Sequence, residues 1–207
     1  TRYIYIHLLN SEFFHSARDE RSKRYMEYLG VKAINTGCVT MWMFTPEFCK
    51  TIPTEKSDKV VFTLTAGYGV AMEHDQCMID ILLRNYEQVY FFPQCVGDFE
   101  YLHKFKNIER IKILEASKAA YDEFLTNNNT DYVGTRLHGG VYAMRHARRA
   151  IIIAIDERAR AINAKNNLNC IERNNITELE QMINSNFETK IVMDFDSIKR
   201  WKSQFII

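Results

Sequence analysis

The chain has 207 residues, a formal net charge of +1 and 46% apolar residues. That length allows one large domain, or one and a half small ones, with a substantial core; the balanced charge gives no electrostatic case for nucleic acid or a membrane surface. Five cysteines, an odd number without a C-x-x-C pair, predict reduced thiols in a cytoplasmic protein, and no apolar run is long enough to span a bilayer. The chain opens on Thr1 rather than methionine, as a fragment or processed chain would. The run around Tyr3–Ile6 reads equally as a strand or as the start of a helix reaching Leu9. Phe13–Ala17 reads as a short strand, followed by a helix over Asp19–Leu29 that Gly30 stops. Val31–Asn35 is another short strand. Thr45–Asp58, with two prolines and mixed charge, reads as a connection, so residues 1–58 are expected to lead into a domain over 59–207.

From there the pattern is regular. Apolar strands are predicted at Lys59–Thr65, Gln88–Phe92, Ile111–Leu114, Asp131–Thr135, Ala150–Ile155 and Asn169–Ile171. Helices are predicted at Asp75–Asn85, Asp98–Phe105, Ser117–Leu125, His138–Arg148 and Arg158–Lys165. Thr177-x-x-Glu180 has the pattern of a capping box opening a further helix, and a last helix covers Ser197–Gln204. Continuous apolar strands alternating with helices of about ten residues predict an α/β parallel sheet with helices on both faces. Right-handed crossovers put every strand-to-helix turn on one edge, where open α/β sheets bind ligands. The turns at 66–69, 93–97, 115–117, 135–140 and 156–158 are expected to line one crevice.

One of these turns carries chemistry. Thr135-Arg136-Leu137-His138-Gly139-Gly140 follows an apolar strand and opens a helix. The glycines allow close approach of a ligand, and amides at a helix start favour phosphate or carboxylate. Arg136 adds a fork of donors for either anion. His138 adds a group that gives or takes a proton near neutral pH. The plainer reading is equally open on pattern alone: Arg136 pairs with a carboxylate, His138 caps the helix and the glycines serve packing. Arg145, His146, Arg148 and Arg149 read as a solvated basic end of that helix. His74 and Cys77 have metal-ligand spacing but no second ligand pair, so a surface helix is the better reading.

Asp131–Ala143, followed by Ala150–Ile155 and Asp156, resembles the signature of the polysaccharide pyruvyl transferase family: a strand, Arg-Leu-His, a small-residue helix start, then an apolar strand ending in an acidic turn. Ser16-Ala17-Arg18-Asp19-Glu20, with Leu29-Gly30-Val31 and Thr36-Gly37-Cys38, is similar to a second block of that family. The resemblance covers about residues 13–165. Where the family shows a lysine after the acidic turn, this chain has Arg158, and the family's glycine-rich opening of a first domain is not in this sequence.

The resemblance implies a Rossmann-like domain like one half of a GT-B fold. It implies transfer of a pyruvyl group from phosphoenolpyruvate to a sugar diol, with phosphoenolpyruvate and a saccharide acceptor as partners and no metal or cofactor. In that scheme Arg136, Arg18 and the Gly139 and Gly140 amides hold the donor, and His138 protonates its enol carbon. Thr135 and Leu137 complete the turn. Tyr68 and Gln94, at the same sheet edge, join the substrate-binding set. Arg18 is expected either to face the cleft or to pair with its acidic neighbours. Two other functions suit the same crevice, a GT-B-type glycosyltransferase holding a sugar nucleotide and a non-catalytic binding domain. The sequence leaves the oligomeric state open.

Overall fold

A computed structural model describes residues 2–10, 12–67 and 72–205. The chain divides into two compact units, residues 1–45 with 192–207, and residues 46–191. The expected division at residue 58 kept the C-terminal residues with the sheet; their contacts group them with the N-terminal segment instead.

The smaller unit opens on a helix, α1 (Arg2–Leu8), which resolves the strand-or-helix ambiguity there. Strand β1 (His15–Ala17), helix α2 (Glu20–Tyr28) and strand β2 (Ala33–Asn35) form a parallel pair joined by a helix, with His15 opposite Ala33. Asp19 caps α2, its Oδ1 accepting from the Ser22 amide at 2.7 Å. Gly30, at φ +80°, lets the chain turn out of the helix. The last helix of the chain, Phe195–Ser203, belongs to this unit because its end is tied to Phe14. The Gln204 side-chain amide accepts from the Phe14 amide at 2.8 Å and donates to its carbonyl at 2.9 Å. Trp201 Nε1 donates to the same carbonyl at 2.9 Å.

The larger unit begins with a short helix, α3 (Pro46–Cys49). Its six strands are β3 (Lys59–Thr63), β4 (Gln88–Phe91), β5 (Ile111–Ile113), β6 (Asp131–Gly134), β7 (Ala150–Ala154) and β8 (Cys170–Glu172). All pair in parallel, in the order β5-β4-β3-β6-β7-β8. This is the α/β parallel sheet expected from the alternating pattern, in the Rossmann-like form that the resemblance implied. The helices between the strands are α4 (Met72–Asn85), α5 (Val96–Leu102), α6 (Lys118–Asn127), α7 (Leu137–Arg145) and α8 (Glu157–Asn166).

The central strands are apolar because both faces are covered: β7 is buried at all five positions, and Val60, Val61 and Phe62 of β3 are fully buried. α4 buries Met78, Ile79 and Leu82 as a helical stripe against the same core.

The chain runs outward from β3 to β5, then returns to lay β6 on the other side of β3. The turns after β3 and β6 therefore leave in opposite directions, which opens a crevice at the carboxyl ends of these two strands. Gly134 permits their close approach. A Cβ there would fall 2.7 Å from the Thr63 carbonyl oxygen and 2.8 Å from the Thr63 nitrogen, closer than packed atoms tolerate.

The predicted capping box at Thr177 does not form. Thr177 lies within a 3-10 stretch, Arg173–Glu178, and the next helix, α9 (Leu179–Ile183), has no side-chain cap. Ile176, Leu179 and Ile183 are buried in the core. Their burial fixes the local winding, and it outweighs a cap hydrogen bond of roughly 1 kcal/mol.

Candidate active site

The turn after β6 is held from several sides. The Thr135 amide donates to the Thr63 carbonyl at 3.2 Å, and the Thr135 and Thr65 hydroxyls meet at 2.9 Å. The Arg136 amide donates to Thr63 Oγ1 at 3.3 Å. Tyr132 Oη, itself 2.6 Å from Thr63 Oγ1, donates to the Arg136 carbonyl at 2.7 Å. Tyr121 Oη donates to the Gly139 carbonyl at 3.1 Å. Burial pushes both phenols above their usual pKa, so they remain protonated donors. The turn's carbonyls are thereby engaged from behind, away from the helix start.

Arg136 is the N-cap residue of α7. Its Nε donates to the Leu64 carbonyl at 3.2 Å, and its Nη2 to Asp98 Oδ1 at 2.5 Å. Its side chain is 28% exposed, while that of Asp98 is 1% exposed. The plainer reading of Arg136 thus describes part of its role, since one edge of the guanidinium is committed to a carboxylate. Among the described residues, nothing accepts from Nη1.

Thr65, Ala66, Gln94, Thr135, Arg136, Leu137, His138, Ile155, Asp156 and Arg158 line a cavity of about 330 Å³ at this edge. They come from the turns after β3, β4, β6 and β7, so the crevice draws on four of the five expected turns. The fifth is used differently: Ser117 caps α6, its hydroxyl accepting from the Ala120 amide at 3.1 Å. Asp156 caps α8, with Oδ1 accepting from the Ala159 amide at 3.0 Å and Oδ2 paired with Arg158 Nη2 at 2.7 Å. Burial raises the Asp156 pKa, but the Ala159 amide and the Arg158 guanidinium outweigh it, leaving the carboxyl below its usual range and ionised near neutrality.

Of the residues singled out in the sequence, Thr135, Arg136, Leu137, His138 and Gln94 meet in this cavity. Gly139 and Gly140 stand behind it. Both amides donate to the Arg136 carbonyl, at 2.9 and 3.2 Å, and so are turned into the helix. Their amides are thus spent within the helix rather than offered to an anion, and what the structure gives the two glycines is a steric role. A Cβ on Gly140 would collide with Ile152 and lie 2.7 Å from the Tyr132 ring; one on Gly139 would lie 3.0 Å from Tyr132 Oη. The helix-start amide left for a ligand is that of Leu137, which meets no acceptor among the described residues. Tyr68 lies outside the described residues. Arg18 belongs to the smaller unit, where its Nε stands 3.4 Å from Asp19.

Asp98, Thr65 and Tyr132 carry the site without having been singled out. Arg158 and Asp156 were readable as a lining turn, although no role was attached to them. Arg149, expected on a solvated basic end, is instead 1% exposed and bonded to Asp131.

Among the described residues there is no group of three or more His, Cys, Asp or Glu suited to a metal ion, and no helix long and apolar enough to cross a membrane. The five cysteines are unpaired. Cys95, exposed beside Arg136 with its sulfur 3.8 Å from Nη2, is expected to react first with iodoacetamide at pH 8. Cys170 is expected to lag by at least tenfold, because burial, aided by Glu172, pushes its thiol up to about 11. Peptide mapping over a labelling time course measures the order; equal rates at the two positions would contradict it.

A family model described as polysaccharide pyruvyl transferase matches residues 1–157. No curated protein matches the chain. The matched span holds the Arg136-Leu137-His138 turn and the strands β3 and β6 that open the crevice, and on this match the chain belongs to the polysaccharide pyruvyl transferase family.

Proposed function

We propose that the chain transfers a pyruvyl group from phosphoenolpyruvate to a sugar diol, forming a pyruvate ketal and releasing phosphate. Family membership indicates pyruvyl transfer to a polysaccharide. The observation that carries the finer reading is the joining of Arg136 and His138 in one cavity wall at the switch point, with a helix-start amide beside them. An anionic donor suits that wall.

His138 gives a proton to the methylene carbon of the enol, which becomes a methyl group. The neighbouring carbon, now electron-poor, is attacked by the first hydroxyl, whose proton restores His138. The carbon–oxygen bond to phosphate breaks, the second hydroxyl closes the ketal, and its proton leaves with phosphate. Arg136, and Arg158 from the turn after the neighbouring strand β7, meet the charge that develops on the leaving phosphate. Arg18 has a donor-binding role by resemblance alone.

Phosphoenolpyruvate at about a hundred times its dissociation constant is expected to stabilise the protein by roughly 2.7 kcal/mol, read as a rise in unfolding temperature. Incubation with phosphoenolpyruvate and a panel of saccharide diols is expected to release phosphate and add a pyruvate ketal to one acceptor, seen by mass spectrometry. Stabilisation by a sugar nucleotide, with none by phosphoenolpyruvate, would sink this reading in favour of a glycosyltransferase.

A further inference from the structure

Asp98 is fully buried on α5 and lies outside the cavity lining, yet its carboxylate joins three of the turns that form it. Oδ1 accepts from the Ala66 amide at 3.1 Å, after β3, and from Arg136 Nη2 at 2.5 Å, after β6. Oδ2 accepts from the Gln94 amide at 3.1 Å, after β4. These strands are neighbours in the order β4-β3-β6. A parallel ladder ends with each strand, so amides just beyond the strand ends need partners from elsewhere. One carboxylate supplies two of them and holds the arginine of the third turn.

We propose that Asp98 is the positioning residue for Arg136, and through it for the anionic donor. An arginine side chain is long and rich in rotamers, whereas its guanidinium is a planar fork useful only in one orientation. Asp98 takes Nη2 and the Leu64 carbonyl takes Nε, which leaves Nη1 without an acceptor among the described residues on a side chain that lines the cavity. The identity of the anion rests on the function proposed above; the positioning itself does not.

Charge and position predict opposite signs for the neutral isostere Asp98→Asn. Removing a negative charge beside the cavity would, by Coulomb attraction alone, tighten an anion. Releasing Arg136 from its fixed orientation would weaken it, because a charge-assisted bond depends on alignment. Positioning dominates in this proposal, so weakening is expected.

The test compares wild type, D98N, R136A and D98N/R136A by calorimetric titration with phosphoenolpyruvate and with inorganic phosphate. D98N is expected to weaken phosphoenolpyruvate binding about tenfold or more. The double variant is expected to bind no more weakly than R136A, because both changes remove one coupled interaction. Unchanged or tighter binding in D98N, or additive losses in the double variant, would overturn the proposal. Wild type that binds neither probe would sink the functional reading instead. The positioning is then read without ligand, from hydrogen exchange at the Arg136 Nη2–H that Asp98 accepts, in the wild-type protein by NMR. Slow exchange supports the proposal, and exchange as fast as that of a solvated arginine overturns it. This second measurement does not require D98N to fold.

Discussion

His138→Ala is expected to lower turnover by about 10²–10⁴ while leaving phosphoenolpyruvate affinity within a few-fold of wild type. The cavity must supply a proton to carbon, and its lining offers few sources. Thr65, Thr135 and Gln94 do not give up protons near neutrality. Arg136 and Arg158 hold theirs too tightly. Asp156 is kept ionised by the Ala159 amide and Arg158, which outweigh its burial, so it has no proton to give. His138, exposed on the first turn of α7, is the lining group suited to the task. Its removal leaves Arg136 and the Leu137 amide in place, which is why binding survives. Arg136→Ala should differ by weakening the donor as well, with KM raised about tenfold or more and kcat also lowered, because the same guanidinium meets the charge that develops on the leaving phosphate. Steady-state phosphate release, with donor and acceptor varied separately, distinguishes the two patterns. Near-normal turnover in His138→Ala would reduce His138 to a surface residue of the helix start.

The fold was legible where one physical requirement dominates. Strands β3, β6 and β7 must be apolar on both faces, and Ala150–Ile155 could be little else. The limits of α2 were legible because Asp19 and Gly30 act locally, although Asp19 serves as the N-cap rather than as the first helical residue. What the sequence concealed is long-range. Asp98 sits 38 residues before Arg136 and reads as an ordinary acidic residue in the first turn of a helix. Only the strand order, which places the turns after β4, β3 and β6 side by side, makes it their common partner. The glycines at 139 and 140 show a different limit. Their presence at a helix start suits an anion site and close packing equally, and the pattern cannot say which way the amides point. The structure gives both amides the Arg136 carbonyl as acceptor, and Ile152 and Tyr132 occupy the space a Cβ at Gly140 would need.

Arg149 is the plainest instance of a tertiary role hidden by local pattern, and it carries the largest expected effect on stability. Tyr132 pairs with Ala150 across the parallel ladder, so the residues just before them, Asp131 and Arg149, stand side by side. Arg149 Nη1 donates to Asp131 Oδ2 at 2.7 Å, and Tyr86 Oη donates to the same oxygen at 2.7 Å. Arg149 Nη2 donates to the carbonyls of Met182, Ile183 and Ser185 at 3.1, 3.0 and 2.8 Å. The guanidinium therefore ties the end of α9 to the amino edge of the sheet. Arg149→Ala is expected to destabilise the fold by about 3–5 kcal/mol, because Asp131 is left as a buried charge without its counterion. Asp131→Asn combined with Arg149→Met should recover part of that loss, since neither half of the ion pair then remains. The pH dependence gives a second check. Burial raises the folded-state pKa of Asp131 above its ordinary value, even against the lowering effect of Arg149. Removing Arg149 raises it further. A carboxyl with a raised folded-state pKa costs stability as pH climbs from its unfolded pKa, about 3.9, through the folded one. The Arg149→Ala deficit should accordingly shrink as pH falls toward 4 and grow toward neutrality. Urea unfolding of wild type and variant across that range measures it; a deficit constant with pH would mean that the lost carbonyl contacts, rather than the orphaned carboxylate, carry the cost.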